Sequence, residues 1–373
     1  MKVHVPEVGP DWARIHPEHI GLSGPALAEA VTFAQQHESD WPRSMYLPDG
    51  RFVATGYVND KPPYDEVLGP VRPRGGSNGL ILRYGKIVAE WGETDRADMT
   101  FSATKSYLGV LAGIAVADKL IDSVDDAVSA TVPGDEFSSP HNRQITWRHL
   151  LQQTSEWQGT LWEKPDSVDH NRQAGVKHDN RRKGEPRTLE QPGQRWEYND
   201  VRVNVLALAL LKRFRRPLPG VLRTRIMDPI GAGSGWEWRG YRNSVVNING
   251  QNIESVSGGG HWGGGLFISS FDHARLGLLV QRRGRWGDRQ LLSEAWVREM
   301  LTPSAPNQTY GYLWWLNTDS ALFPAASPGG VFALGGGQHL IWVDDTQDLL
   351  MVARWVDRAH CDGLIARVLA GVR

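Results

Sequence analysis

The sequence predicts a mixed α/β (α+β) fold with two lobes, and three features of the chain support this prediction. Strand-like apolar runs occur towards both ends of the 373-residue chain, and a long block of helical and loop segments separates them. The length also fits two structural units, because domains average roughly 100–200 residues. We therefore expect an α/β lobe formed by 1–99 and 244–373, with a mostly helical lobe inserted at 100–243.

The first half of the chain contains the clearest elements. A helix is predicted at 24–37, and a proline-rich irregular segment follows at 38–76. Two apolar runs within 79–91 flank Tyr84-Gly85-Lys86, which predicts a β-hairpin. Residues 106–117 contain no charged side chain, so we expect a helix over 102–117 that is buried on nearly all sides.

The second half alternates between polar segments and strands. The stretch 163–187 is rich in charged residues, which predicts an exposed loop. Strand-like runs then occur at 244–248, 265–269, 339–343 and 348–355, and a helix-like tail follows at 360–372. This order returns the chain to the sheet-containing lobe.

The composition excludes several classes of protein. The chain has 41 Lys+Arg and 42 Asp+Glu residues, so it lacks the basic excess of proteins that bind nucleic acid or anionic membranes. Its single cysteine, Cys361, excludes an internal disulfide framework and a cysteine-clustered zinc site. The N-terminus has no apolar signal region, and no apolar run approaches the ~20 residues of a membrane span, which predicts a cytoplasmic protein. The sequence does not indicate an oligomeric state.

The sharpest candidate for chemistry is a Ser-x-x-Lys motif, Ser102 to Lys105. This spacing places both side chains on one helix face, one turn apart. Free N–H groups at a helix N-terminus favour a developing alkoxide on Ser102, and Lys105 can take the proton or stabilise the anion. Burial at the mouth of the helix would favour the neutral amine. The alternative is that Ser102 is only an N-cap, since this tetrapeptide arises by chance about once in such a chain.

Three longer sequence motifs follow Ser-x-x-Lys along the chain. The stretch ITWRHLLQQTS (145–155) is similar to T-I-R-H-L-L-x-x-T-S-G, QPGQRWEYND (191–200) to P-G-x-x-F-x-Y-S-N, and GGGHWGGGL (258–266), with a following D-x-A-R-L, to G-G-L-x-S-x-x-D-x-A-R-F. In this order, over about 77–355, the chain resembles the serine β-lactamase / penicillin-recognising superfamily. The resemblance is to its class C-like branch of carboxylesterases and aminohexanoate-oligomer hydrolases.

The resemblance implies a fold and a set of catalytic groups. The fold would be β-lactamase-like, with an antiparallel sheet flanked by helices, an inserted helical lobe and the site at the lobe junction. Tyr198 would act with Ser102 and Lys105 as general base and then acid, although it could instead be a core tyrosine with a satisfied hydroxyl. The backbone N–H groups of Ser102 and Gly336 would form the oxyanion hole, and Gly335 would let a substrate approach closely.

Two positions depart from the family pattern. Asp200 stands where the family has an asparagine, and a carboxylate there would favour the charged form of Lys105 and shift proton abstraction to Tyr198. The alternative is that Asp200 merely caps a helix at 201–213. No lysine follows Lys212, so the family's Lys-Thr-Gly motif is missing together with the cation that holds a β-lactam carboxylate. This departure favours ester or amide substrates over β-lactams.

The sixteen tryptophans suggest an aromatic-walled cleft for apolar acyl or alkyl groups. The candidate substrate-binding residues are Trp157, Asp200, His261, Trp262 and Gly335. We expect a serine hydrolase that cleaves a small-molecule ester or amide through an acyl-enzyme, a reaction that needs no metal or organic cofactor. The alternatives are a β-lactamase or D-alanyl carboxypeptidase, and a non-catalytic ligand-sensing member of the fold.

Overall fold

The computed structural model of the chain describes residues 5–9, 11–174 and 179–373. The predictions that concern the first four residues, and those for 175–178 in the charge-rich stretch, lie outside these described residues. Within the described ranges, no helix is both long and apolar enough to cross a bilayer.

Helices and strands alternate along the chain. In the described residues the α-helices are α1 (Gly24–Gln36), α2 (Val53–Tyr57), α3 (Thr104–Ala117), α4 (Trp147–Leu151), α5 (Asp200–Phe214), α6 (Leu218–Leu222), α7 (Ser270–Gln281), α8 (Glu294–Met300) and α9 (Cys361–Ala370). The strands there are β1 (Asn78–Arg83), β2 (Lys86–Trp91), β3 (Asp98–Met99), β4 (Thr160–Leu161), β5 (Lys164–Pro165), β6 (Glu237–Ile248), β7 (Gln251–Val256), β8 (Gly265–Ile268), β9 (Arg285–Trp286), β10 (Arg289–Gln290), β11 (Trp315–Leu316), β12 (Val331–Gly335), β13 (His339–Asp344) and β14 (Leu349–Arg354).

The main sheet is antiparallel and joins strands from two distant parts of the chain. In the described structure its order is β11-β12-β13-β14-β1-β2, and β1 pairs with β14 so that Leu80 lies opposite Val352. Strands β1, β13 and β14 are buried along their whole length, and α7 packs against all three. Because both faces of these strands are covered, their sequences read as continuous apolar runs rather than alternating ones. The predicted α/β (α+β) fold class is confirmed.

A second, smaller sheet has the order β3-β8-β6-β7 in the described residues. Strand β6 covers Glu237–Ile248, so the predicted lobe boundary at 243/244 falls inside a strand. Helix α3 lies deep in the molecule, with 104–115 buried, and contacts α5, α6 and β12. Apart from Lys105 in its first turn it has no charged side chain, and a helix that is apolar on nearly all sides is expected in such a buried position.

The charge-rich stretch 163–187 is only in part the exposed loop that its composition predicts: Arg181 and Arg182 are exposed, but other charged residues of its described part are not. Asp166, Asp169, His170 and Lys183 are buried. Their charges are paired inside the protein: Asp166 meets His170 at 3.0 Å, and Asp169 meets Lys183 at 3.2 Å. Buried charges are tolerated when they are paired in this way, and composition alone does not distinguish mutual pairing from exposure to solvent.

Candidate active site

Ser102 lies in a 3₁₀ turn, Phe101–Ala103, directly before α3, and its side chain is half-buried. The preceding residue, Phe101, has φ +48°, a left-handed conformation that costs a bulky residue about 1–2 kcal/mol. Its ring packs edge-on against Trp41 and Trp355, with centroid distances of 5.3 and 6.4 Å. This aromatic packing holds the turn that presents Ser102.

The predicted Ser-x-x-Lys pair is in contact. The Nζ of Lys105 donates a hydrogen bond to the Oγ of Ser102 at 2.8 Å, and Lys105 is only 1% exposed. The N-cap of α3 is Ala103, so Ser102 is not the cap of this helix. Its hydroxyl oxygen instead accepts a hydrogen bond from the one lysine that faces it across a helical turn.

Asp200 forms a buried ion pair with Lys105. It is the first residue of α5, whose N-cap is Asn199, so Asp200 is not the helix cap. The Oδ2 of Asp200 also contacts Arg172 at 2.5 Å and His261 at 2.8 Å. Burial alone would raise the pKa of Asp200, but the charges of Arg172 and Lys105 and the His261 hydrogen bond outweigh burial and hold that pKa well below its usual range.

Tyr198 lies beside this pair. The Nζ of Lys105 is 4.7 Å from the centre of its ring, and the guanidinium carbon of Arg172 is 5.2 Å from the same centre. Gln153 holds the backbone on either side of Tyr198. Its carbonyl accepts a hydrogen bond from the Glu197 N–H at 3.0 Å, and its side-chain oxygen accepts one from the Asn199 N–H at 2.9 Å. The structure therefore brings Tyr198 to Lys105 and holds it there.

A further layer of charge surrounds Asp200. His261 contacts the Oδ2 of Asp60 through Nε2 at 2.6 Å, and Lys183 forms ion pairs with Asp60 and Asp169. Burial would raise the pKa of Asp60, but His261 and Lys183 lower it to about 2. We call these buried residues the cleft cluster: Asp60, Lys105, Asp169, Arg172, Lys183, Asp200 and His261.

Three members of the cleft cluster have the chemistry of metal ligands. In the described residues, the oxygen and nitrogen atoms of Asp60, Asp169 and His261 lie within 4.8 Å of one another. The ammonium group of Lys183 contacts both of these carboxylates. The positive charge that the carboxylates require is thus supplied by the chain itself.

Ser102 opens into a cleft. Tyr198, Asp200, His261 and Gly336 also line it. Its aromatic and aliphatic wall includes Trp41, Ala54, Tyr57, Val58, Phe101, Trp315, Phe323, Leu334 and Leu340. A cleft that combines such an apolar wall with polar groups is typical of a small-molecule site.

Gly335 brings the end of strand β12 close to the turn that carries Ser102. A Cβ on Gly335 would lie 2.3 Å from the carbonyl oxygen of Thr100 and 3.3 Å from the backbone N of Ala103, so only glycine fits there. Gly336, the next residue, lines the cleft. This close approach places the glycine backbone of β12 beside Ser102, where an oxyanion donor is expected.

Two predicted substrate-binding tryptophans do not line the cleft. The indole N–H of Trp157 donates to the carbonyl of Glu136 at 2.7 Å, and that of Trp262 donates to the Oδ2 of Asp60 at 3.1 Å. Both rings are buried in the core. Buried indoles turn towards a partner for their N–H, and a sequence does not reveal that direction. The tryptophans of the cleft wall are Trp41 and Trp315.

Sequence reasoning missed Asp60, Arg172 and Lys183. Asp60 lies in the irregular proline-rich segment and outside the motifs, while the two cations lie in the charge-rich stretch. Neither cation belongs to a helix or strand pattern in the sequence, so no periodicity indicates that its side chain is buried. The one available hint was Asp200, a carboxylate that requires buried partners once it is placed beside Lys105.

Comparison with known proteins identifies the family. The family model described as Beta-lactamase matches residues 85–355, which is more than half of the chain, and the chain belongs to this family. This confirms the resemblance predicted from the motifs. Among the curated proteins, none matches the sequence.

Three solved structures show the same fold at low sequence identity. A protein described as a 6-aminohexanoate-dimer hydrolase from Bacillus anthracis has a TM-score of 0.57 and 13% identity, with 98% of this chain and 89% of that chain covered. EstCE1, a hydrolase with promiscuous acyltransferase activity, has a TM-score of 0.56 and 16% identity, with 94% and 99% covered. A β-lactamase/D-alanine carboxypeptidase from Pseudomonas syringae has a TM-score of 0.56 and 15% identity, with 80% and 94% covered.

Proposed function

We propose that this protein is a serine hydrolase that cleaves a small, partly apolar ester or amide through an acyl-enzyme on Ser102. The observation that carries the proposal is the 2.8 Å hydrogen bond from Lys105 to the Oγ of Ser102 in an aromatic-walled cleft. A serine alone is a weak nucleophile and requires such an activating neighbour.

The geometry supports a separate role for each of the catalytic groups. Because Asp200 is paired with Lys105, the lysine remains a cation that orients and stabilises the Ser102 oxygen. Tyr198, whose ring lies beside that cation, reacts as the phenolate and takes the Ser102 proton as the oxygen attacks the carbonyl carbon, which leaves Tyr198 as the neutral phenol. The N–H groups of Ser102 and Gly336 bind the oxyanion. Tyr198 then protonates the leaving alcohol or amine, and a water molecule hydrolyses the acyl-enzyme.

The cleft favours esters and amides over β-lactams. Its wall is mainly aromatic and aliphatic, which suits an apolar acyl or alkyl group. Two arginines, Arg172 and Arg358, line the cleft, and the guanidinium of Arg172 is paired with Asp169 and Asp200. The chain also has no lysine after Lys212 to bind the carboxylate of a β-lactam.

The test combines covalent labelling with turnover. A fluorophosphonate probe should add one adduct, located at Ser102 by intact-mass and peptide analysis, and the protein should hydrolyse p-nitrophenyl esters. Ser102→Ala should lose both properties, while the surface variant Ser138→Ala should keep them. Full esterase activity in Ser102→Ala would refute the proposal.

Two further outcomes separate the alternatives. A labelled protein without turnover of any ester or amide would support a ligand sensor. Faster hydrolysis of nitrocefin than of the esters would support a β-lactamase.

A further inference from the structure

We propose that His261 and Asp60 are positioning residues that hold the Asp200 carboxylate and, through it, the ammonium group of Lys105 against Ser102. This proposal rests on the proposed function, because it assigns roles to residues behind the same nucleophile. His261 was a candidate substrate-binding residue in the sequence, and the structure gives its ring a different set of contacts.

Both ring nitrogens of His261 face carboxylates. Nδ1 lies 2.8 Å from the Oδ2 of Asp200, and Nε2 lies 2.6 Å from the Oδ2 of Asp60. Ionised carboxylates only accept hydrogen bonds, and each of these aspartates is also paired with another cation, Asp200 with Lys105 and Asp60 with Lys183. The ring must therefore donate at both nitrogens, which makes it an imidazolium.

This arrangement leaves His261 no ring nitrogen for a substrate. The residue borders the cleft, but it is only 3% exposed and both of its donors are engaged with carboxylates. It acts on the reaction through Asp200 rather than by touching substrate. The indole N–H of Trp262 is a second donor to the Oδ2 of Asp60, so it helps to hold the carboxylate that faces Nε2 of His261.

Asp200 is held by groups from every element packed against it. Lys105 comes from α3, Arg172 and Asp169 from the charge-rich stretch, and His261 from the glycine-rich segment before β8. Asp60 faces Lys183 and Trp262 as well as His261, and Lys164 contributes a more distant positive charge.

The cluster carries an excess of positive charge. In the described structure its four cationic groups, Lys105, Arg172, Lys183 and the His261 imidazolium, meet three carboxylates, Asp60, Asp169 and Asp200. Loss of the His261 charge would make the Lys105–Tyr198 pair retain its proton more strongly. The acid limb of kcat/KM, which reports that proton, would then move to higher pH.

Two substitutions separate the two contacts of the ring. His261→Asn keeps an amide N–H near the position of Nδ1 and so retains the bond to Asp200. His261→Gln places its amide N–H near the position of Nε2 and so retains the bond to Asp60. We expect kcat/KM to fall about tenfold or more in His261→Gln, and by a smaller factor in His261→Asn, because small displacements of a catalytic group are costly.

The pH profile distinguishes positioning from a merely structural role. The acid limb should move to higher pH in both variants, and the matched surface variant His19→Gln should leave it unchanged. Equal losses in both variants with an unmoved acid limb would overturn the proposal, because a packing defect has no reason to shift a titration. Thermal unfolding of each variant shows that the comparison is between folded proteins.

A second measurement requires no turnover. ¹⁵N NMR of the histidine-labelled wild type at pH 7 should show both His261 nitrogens protonated, with the resonance assigned by its absence in His261→Asn. Asp60→Asn should alter that signal. A neutral His261 ring in a protein that still labels at Ser102 would overturn this proposal and leave the serine-hydrolase function standing. Absence of labelling at Ser102 in a protein with an intact His261 imidazolium would overturn the serine-hydrolase function and leave the contacts of His261 with Asp200 and Asp60 standing.

Discussion

Two networks of buried charge lie side by side in this protein, and only one of them reaches the cleft. The cleft cluster contacts Ser102 through Lys105. The second network, which we call the inner cluster, consists of Glu156, Asp166, His170, Arg187, Glu197 and Arg202. None of these six residues lines the cleft.

The two clusters share backbone elements but differ in one kind of cation. Asp166 and Asp169 stand in one 3₁₀ turn, and the first joins the inner cluster while the second joins the cleft cluster. The inner cluster uses guanidinium groups with two or more carboxylate contacts each, as Arg202 does with Glu156 and Asp166. Each cluster also contains a histidine, but only the cleft cluster contains lysine, and its Lys105 contacts Ser102. The same kind of ion pairing thus serves chemistry in one place and structure in the other.

The contrast predicts that Lys105→Met lowers activity far more than Arg202→Met does. Removal of the ammonium group takes away the hydrogen bond to Ser102, and general acid–base partners contribute about 10²–10⁴-fold. We expect kcat/KM for p-nitrophenyl esters and the rate of fluorophosphonate labelling to fall by that factor. Activity within threefold of wild type would remove Lys105 from the mechanism.

Arg202→Met should show the opposite pattern. Its loss leaves Glu156 and Asp166 with fewer partners in the core, and breaking a buried ion pair costs about 3–5 kcal/mol. We expect a lower midpoint in urea unfolding, while the fraction that remains folded labels at Ser102 at the wild-type rate. The matched surface control is Arg181→Met, whose pair with Asp179 is exposed. A wild-type midpoint in Arg202→Met contradicts the structural role of this cluster.

Asp200→Asn sharpens the comparison because it changes charge and keeps shape. Without the carboxylate, the Lys105–Tyr198 pair loses its proton more easily, so the acid limb of kcat/KM should move to lower pH by about one to three units. The His261 variants should move the same limb in the opposite direction. An unmoved limb in Asp200→Asn would show that this carboxylate does not control the proton.

The mildest expected effect concerns stability at low pH. Burial would raise the pKa of Glu156, but the Arg187 hydrogen bonds and the Arg202 charge lower it to about 2, below the value of roughly 4.3 in an unfolded chain. The ionised carboxylate therefore contributes stability above about pH 4.3, and this contribution is lost as the pH falls towards 2. Unfolding midpoints measured between pH 6 and pH 2 should fall less steeply in Glu156→Gln than in wild type. Parallel curves would mean that Glu156 is not responsible.

Much of the fold was predictable because local patterns decided it. The hairpin of β1 and β2, the apolar runs of β13 and β14 and the largely apolar α3 all depend on side chains within a few residues of each other. The charge-rich stretch was misread because its partners lie elsewhere: Lys183 meets Asp60, 123 residues away. Composition describes what a segment contains, whereas the location of its counter-charges decides whether it is buried.

The sequence by itself determined the Ser102–Lys105 pair, since helical geometry brings residues three apart onto one face, and it determined the family through the order of its motifs. Only the tertiary structure decided which charges surround Asp200 and which tryptophans line the cleft. His261 meets Asp60 across 201 residues of sequence, and Trp157 turns its indole towards Glu136 instead of the cleft. The physical reason is that such contacts arise from packing between distant segments, for which no spacing along the chain provides a signal.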